Sequence, residues 1–179
     1  MRQGVLQEGA FWLKKAFKSP LALGLTASAL GVAGMCSAIW VQHSLGMDPC
    51  PLCIFQRVAM IWAALAGLAG AVASRARWRW AARGLWAIGA AGAIVGMGMA
   101  ARHMHVVWWP PEASCGPDLE YLMDAFPPTK WIPSVFAGEA ECSAAGSELV
   151  AGLPIPIWAA VAFAAQAAAL LRAWRLSRA

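Results

Sequence analysis

Four stretches of the chain, residues 19–47, 58–74, 84–101 and 149–171, contain no Asp, Glu, Lys or Arg. A helix crossing about 30 Å of hydrocarbon needs roughly 17 to 25 apolar residues, and each stretch approaches or exceeds that length. Residues 58–74 are the tightest fit. With 60% apolar residues, 13% charged residues and a mean hydropathy of +0.57, a soluble 179-residue domain is excluded. Small residues recur at helix-contact spacing inside the stretches: Gly24, Gly31 and Gly34, then Gly67 and Gly70, then Gly89, Gly92 and Gly96. Close backbone approach is the main route to helix association in lipid. The predicted fold is therefore an all-α membrane protein, a four-transmembrane-helix bundle forming one integral domain over 1–179. Its spans are expected near 20–42, 54–74, 84–103 and 154–172, with a long outer loop over 104–153.

Basic residues near span ends set orientation, because Lys and Arg are retained in the cytoplasm. Lys14, Lys15 and Lys18 precede the first span, Arg75, Arg77, Arg79 and Arg83 separate the second from the third, and Arg172, Arg175 and Arg178 follow the fourth. Both termini and the middle loop are thus expected inside. Asp48, Glu112, Asp118, Glu120, Asp124, Glu139, Glu141 and Glu148 fall outside, accompanied by Lys130. The net charge of +5 follows from this topology and does not imply a nucleic-acid partner.

The first span reads as an uncleaved anchor, since its leading region and apolar run are long and Met35, not a small residue, precedes Cys36. Before it, Leu6, Phe11, Trp12, Leu13 and Phe17 interleave with three lysines, the pattern of a helix lying on an anionic inner leaflet. In the outer loop, Leu119, Leu122, Met123 and Phe126 follow i, i+3, i+4, i+7 spacing, which predicts a short amphipathic helix on the membrane surface. The apolar run from Trp131 to Phe136 is suited either to the same surface or to a partner.

Cys50 and Cys53 stand two residues apart at the outer end of the second span, and Cys115 and Cys142 lie in the outer loop. Two pairs of thiols on one side of a bilayer suggest electron transfer. A C-x-x-C pair closes a small, readily exchanged disulfide whose poise depends on thiolate stability. A second helix beginning near Cys53 would set that sulfur at the positive end of the helix dipole, with Arg57 four residues on. An arginine at this depth is costly and needs a task or a partner. No dinucleotide-binding glycine fingerprint is present, and Ile54 after Cys53 excludes a c-type haem site. In apolar, aromatic surroundings a lipid-soluble acceptor is the natural one. An isoprenoid quinone takes two electrons from a dithiol and offers carbonyl oxygens to Arg57, with His103 near the outer end of the third span as a hydrogen-bond or proton donor. Cys36, in mid-span, reads as a small buried apolar residue.

Cys-Pro-Leu-Cys-Ile-Phe-Gln-Arg at 50–57 resembles the Cys-x-x-Cys-Ile-Tyr-Glu-Arg signature of DsbB, the bacterial disulfide-bond-formation membrane family. The resemblance continues through Lys130 to Phe136, upstream of Cys142, and through Leu153-Pro154 with Trp158. It implies that Cys115 and Cys142 form a loop disulfide which oxidises a periplasmic DsbA-type thiol oxidase, Cys115 entering the mixed disulfide. Cys50 and Cys53 would reoxidise that loop and pass two electrons from Cys53 to ubiquinone or menaquinone, with Arg57 and His103 at the quinone, all in the bacterial inner membrane. Gln56 departs from the signature, which commonly has an acid there, and Pro51 between the cysteines is a second departure. Three rival readings accompany this one. A paralogue would serve a dedicated oxidase through the same residues. A copper-handling or other metal-binding membrane protein would use Cys50, Cys53, His103 and His105, with Met97, Met99 and Met104. A purely structural protein would keep its loop cysteines as inert staples.

Overall fold

The computed structural model describes residues 19–110, 115, 125, 127–136, 138 and 140–178. Three long helices come first: α1 (Pro20–Leu45), α2 (Pro51–Arg75) and α3 (Arg79–Trp108). The long loop after α3 carries α4 (Pro127–Trp131), α5 (Pro133–Phe136) and α6 (Cys142–Ser147), followed by a hairpin, β1 (Leu149–Val150) with β2 (Leu153–Pro154), and by α7 (Ile155–Leu176). The amphipathic segments expected before Ser19 and over Leu119, Leu122, Met123 and Phe126 lie outside the described residues.

Three of the four long helices, all but α3, start where the sequence supplies a cap or a proline. Ser19 accepts from Ala22 N at 3.5 Å with Pro20 in the first turn, and α1 ends at Gly46 in the left-handed conformation with φ 65°. The second helix begins at Pro51, earlier than the expected start near Cys53, because proline at the first helical position loses no hydrogen bond there. Cys53 consequently sits inside the first turn and Cys50 becomes the cap. Before α7, Ala151 at φ 51° and Gly152 at φ 82° form the two-residue turn of a hairpin in which Val150 pairs with Leu153. Trp158 Nε1 donates to Val150 O at 2.8 Å, pinning that hairpin to the top of α7.

All four long helices are apolar enough to span a bilayer, and they form the expected four-helix bundle. The second helix packs on α1 and α3, and α7 closes the ring against the same two. Contact is as close as glycine allows at Gly24 and Gly67, where a Cβ on either would fall 2.9 Å or 3.0 Å from the other's carbonyl oxygen. The interior is filled by alanines with Trp86, Phe163, Leu23 and Leu170, while Val32, Leu65, Val72, Val95 and Val161 point outward. That outward apolar surface is what a lipid-facing bundle requires. Polar groups at the helix contacts bridge helices: the buried Gln166 Nε2 donates to Ala27 O at 3.0 Å and the half-buried Ser28 Oγ to Ala64 O at 2.8 Å. Arg83 lies over Trp80 and Arg178 over Trp174 at one end of the bundle, and Trp108, Trp109 and Trp131 are exposed toward the other. This is the aromatic belt of a membrane-interface protein.

Candidate functional site

The end of the bundle opposite the α2–α3 turn gathers residues from α2, α3 and the loop. Cys50 caps α2, its Sγ accepting from Cys53 N at 3.4 Å, and the two sulfurs lie 3.2 Å apart as free thiols. A sulfur cap on the first turn explains the C-x-x-C spacing physically, since the cap satisfies an N–H three residues on.

His103 on α3 faces both thiols and is fully buried. Its Nε2 donates to Cys142 O at 3.0 Å and lies 3.6 Å from Cys50 Sγ. Its Nδ1 lies 3.4 Å from Gln56 Nε2 and 4.0 Å from Cys53 Sγ. The ring therefore stands between the helix thiols and the loop. Gly146 of α6 makes that possible, because a Cβ there would fall 2.6 Å from His103 Nε2.

Cys115 and Cys142 are joined by a disulfide that spans 27 residues of sequence. Both are buried and pack in one cluster with Cys50, Leu52 and Val106. Cys50 thus turns toward the loop disulfide. Burial and the adjoining Cys53 sulfur act on it together: the hydrogen bond to Cys53 comes first, desolvation second, and both hold the Cys50 thiol above its ordinary range.

Cys53 also packs against this cluster, at its edge. It lines a cavity of about 690 Å³ bounded by α1, α2, α6 and α7, whose wall also includes Gln56, Arg57, Met60, Val41 and Trp158. That volume falls within the usual range for small-molecule sites, and the lining is apolar apart from a few polar groups. Arg57 is buried rather than stretched to the interface. Its Nη1 donates to Gln42 Oε1 at 2.8 Å and to Val135 O at 2.6 Å, joining α2 to α1 and to α5.

Every residue the sequence pointed to for redox chemistry falls in this region. Cys50, Cys53 and His103 place donor atoms within 4.8 Å of one another, whereas His105 is exposed and stacks on Trp109 and Met97 is exposed. Cys36 is exposed on α1 rather than buried, since the helix presents that side outward. Gln42 and Gln56 were not singled out as site residues. Each is an amide near an outer helix end, and a polar side chain there reads as interfacial until its partner is known.

The sequence model described as Disulfide bond formation protein DsbB matches residues 19–173. Proteins named Disulfide bond formation protein B are similar over most of their length. That of Xanthomonas campestris is 40% identical, covering 82% of this chain and 84% of its own. The Aromatoleum aromaticum protein is 37% identical over 79% and 82%, and that of an Acidovorax strain 36% identical over 89% and 88%. With four spanning helices, a loop disulfide and a buried C-x-x-C pair already in place, these matches make the chain a member of the DsbB family of disulfide-forming, multi-pass membrane oxidoreductases.

Proposed function

We propose that the protein reoxidises a periplasmic DsbA-type thiol oxidase and delivers the two electrons to membrane ubiquinone or menaquinone. The observation that carries this reading is that the paired thiols bridge the loop disulfide and the cavity. Cys50 packs with the loop disulfide, and Cys53, against the same cluster, also lines the cavity beside Arg57.

The partner dithiol attacks the Cys115–Cys142 disulfide, giving up two electrons and leaving the loop as a dithiol. That dithiol exchanges with a Cys50–Cys53 disulfide, which restores the loop and reduces the helix pair. A quinone supplies the final sink, accepting two electrons and two protons as the helix pair closes again. The cavity suits such a group: its wall is largely apolar, and Arg57 offers a charged donor to a carbonyl oxygen. Arg57 also braces the wall, since its bonds to Gln42 and Val135 tie two flanking segments together.

Orientation follows from the arginines at the α2–α3 turn and at the end of α7, which favour the cytoplasmic face of the bacterial inner membrane. Both termini then lie inside, with the four paired cysteines in the periplasm. The test is quinone reduction by purified protein with a reduced DsbA-type dithiol as donor. Wild type is expected to turn over, and Cys53→Ala and Cys115→Ala to stop. Absence of turnover across several donors and quinones overturns the reading, and turnover surviving in Cys115→Ala overturns the loop's part in it.

A further inference from the structure

The relay described above gives Gln56 no part. Yet its side chain is only 5% exposed, lies on the cavity wall, and brings Nε2 to 3.4 Å from His103 Nδ1. Burying an amide costs free energy unless its groups are bonded. An amide also neither carries charge nor exchanges electrons with a disulfide.

The geometry of the ring gives that amide a use. The Cys142 carbonyl can only accept, so the 3.0 Å contact requires the proton of a neutral His103 on Nε2. Nδ1 is then bare. Gln56 donates its Nε2–H to that nitrogen, and Cys53 Sγ lies 4.0 Å from the same atom. The loop carbonyl thus holds one end of the ring and the α2 amide the other, with the lone pair on the side of the cavity-facing thiol.

We propose that Gln56 is a positioning residue for proton transfer: with the Cys142 carbonyl it holds His103 so that Nδ1 takes the Cys53 thiol proton before the sulfur's electrons leave. The step breaks the S–H bond with its electron pair staying on sulfur and forms an N–H bond at Nδ1. The ring gains one positive charge, Cys53 one negative, and nothing is oxidised or reduced. The amide then rotates so that Oε1 accepts from the new Nδ1–H. One side chain presents both a donor and an acceptor from the same place, which an apolar residue of equal length cannot do. Among the described residues, the titratable or charged groups on this side of the ring are Cys50, Cys53 and Arg57 of α2, with Asp48 and Glu148 farther along the wall of the same cavity. The loop contributes the Cys142 carbonyl and a disulfide that does not titrate, α1 and α7 add no charged group in contact with the ring, and Arg102 and His105 of α3 are exposed. The inference rests on the proposed function only for where the electrons go next.

The test reads Cys53 without a quinone. In protein carrying Cys36→Ala and Cys50→Ser, with the loop disulfide intact, Cys53 is the one free thiol. Its rate of alkylation by iodoacetamide is followed against pH. Gln56→Met is expected to move the profile to higher pH and slow alkylation at pH 6.5 roughly fivefold, the scale of one net hydrogen bond. Gln56→Glu, which keeps an acceptor for Nδ1–H, is expected to stay within about twofold of the Gln56 protein. In a His103→Leu background the effect of Gln56→Met should vanish, since two residues acting as one unit are not additive. The inference is overturned by a Gln56→Met profile that coincides with wild type, by equal slowing in both Gln56 variants, or by the same slowing with His103 removed. Failure of the quinone reading appears only in the turnover experiment, and failure of the positioning role only here.

Discussion

Arg57 donates to the main-chain carbonyl of Val135 across 2.6 Å, so a cation buried in the second helix is bonded directly to the loop that follows the third. The same nitrogen reaches Gln42 Oε1 at 2.8 Å. A side chain that lines the cavity therefore also fastens two of the segments flanking it.

Arg57→Met removes the charge and both bonds while keeping an apolar stem of similar length. Hydrogen bonds to a charged group contribute about 1.5–3 kcal/mol each. The apparent KM for quinone is expected to rise roughly tenfold, equivalent to about 1.4 kcal/mol, while oxidation of a partner dithiol by the loop disulfide stays within about twofold. Stopped-flow measurement of the two half-reactions separates them. Equal loss of both counts against a cavity role for Arg57.

Gly146 and Gly98 make a matched pair. A Cβ at Gly146 would fall 2.5 Å from Val107 Cγ2 and 2.6 Å from His103 Nε2, whereas nothing lies within 4 Å of one at Gly98. Overpacking typically costs about 1–3 kcal/mol. Gly146→Ala should lower the Tm in detergent by several degrees and slow quinone reduction, and Gly98→Ala should change neither. A Gly146→Ala protein with wild-type Tm and rate would mean that α6 is free to move away from the ring.

The bundle was legible because lipid imposes a crude rule, a charge-free run long enough to cross, and four runs obeyed it. The cysteine pairs were legible for a related reason: in an apolar chain, thiols at one end have few other uses. Pro51 already carried the true start of α2, since a proline between two cysteines marks the first helical position. The amides left weaker traces. Gln42 and Gln56 are told apart from any interfacial polar residue only by what they meet, Arg57 on one side and His103 on the other, and those partners lie 15 and 47 residues away. Gly146 was equally silent, because its need for a missing Cβ arises from a ring 43 positions earlier in the chain.

His103 holds the loop as well as the thiols. With its Nε2 bonded to Cys142 O, replacing it by Leu leaves a buried carbonyl without that donor, a loss of about 1–3 kcal/mol. The loop should then open more often. Reduction of the Cys115–Cys142 disulfide by glutathione is expected to accelerate about tenfold in His103→Leu, and His103→Gln, which retains an N–H, to show a smaller change. Unchanged reduction in both variants would show that the bond does not hold the loop down.

Cys50 gives a pH dependence whose sign follows from its surroundings. The neighbouring Cys53 sulfur and burial raise its folded-state pKa above the ordinary thiol value of 9.0, so the folded protein keeps a proton that the unfolded chain releases in alkali. Stability contributed by this group is complete below the unfolded pKa and is lost as pH rises beyond it, by about 1.4 kcal/mol for each pH unit. The dithiol form should therefore lose more Tm between about pH 9 and pH 10 than the Cys50–Cys53 disulfide form loses. Cys50→Ser, whose hydroxyl does not titrate in that range, should follow the disulfide form. Differential scanning measurements on the three proteins at matched pH decide the matter. Parallel Tm curves for dithiol and disulfide forms would mean that the Cys50 proton is released as readily in the bundle as in the open chain, and that the cap on α2 is a thiolate.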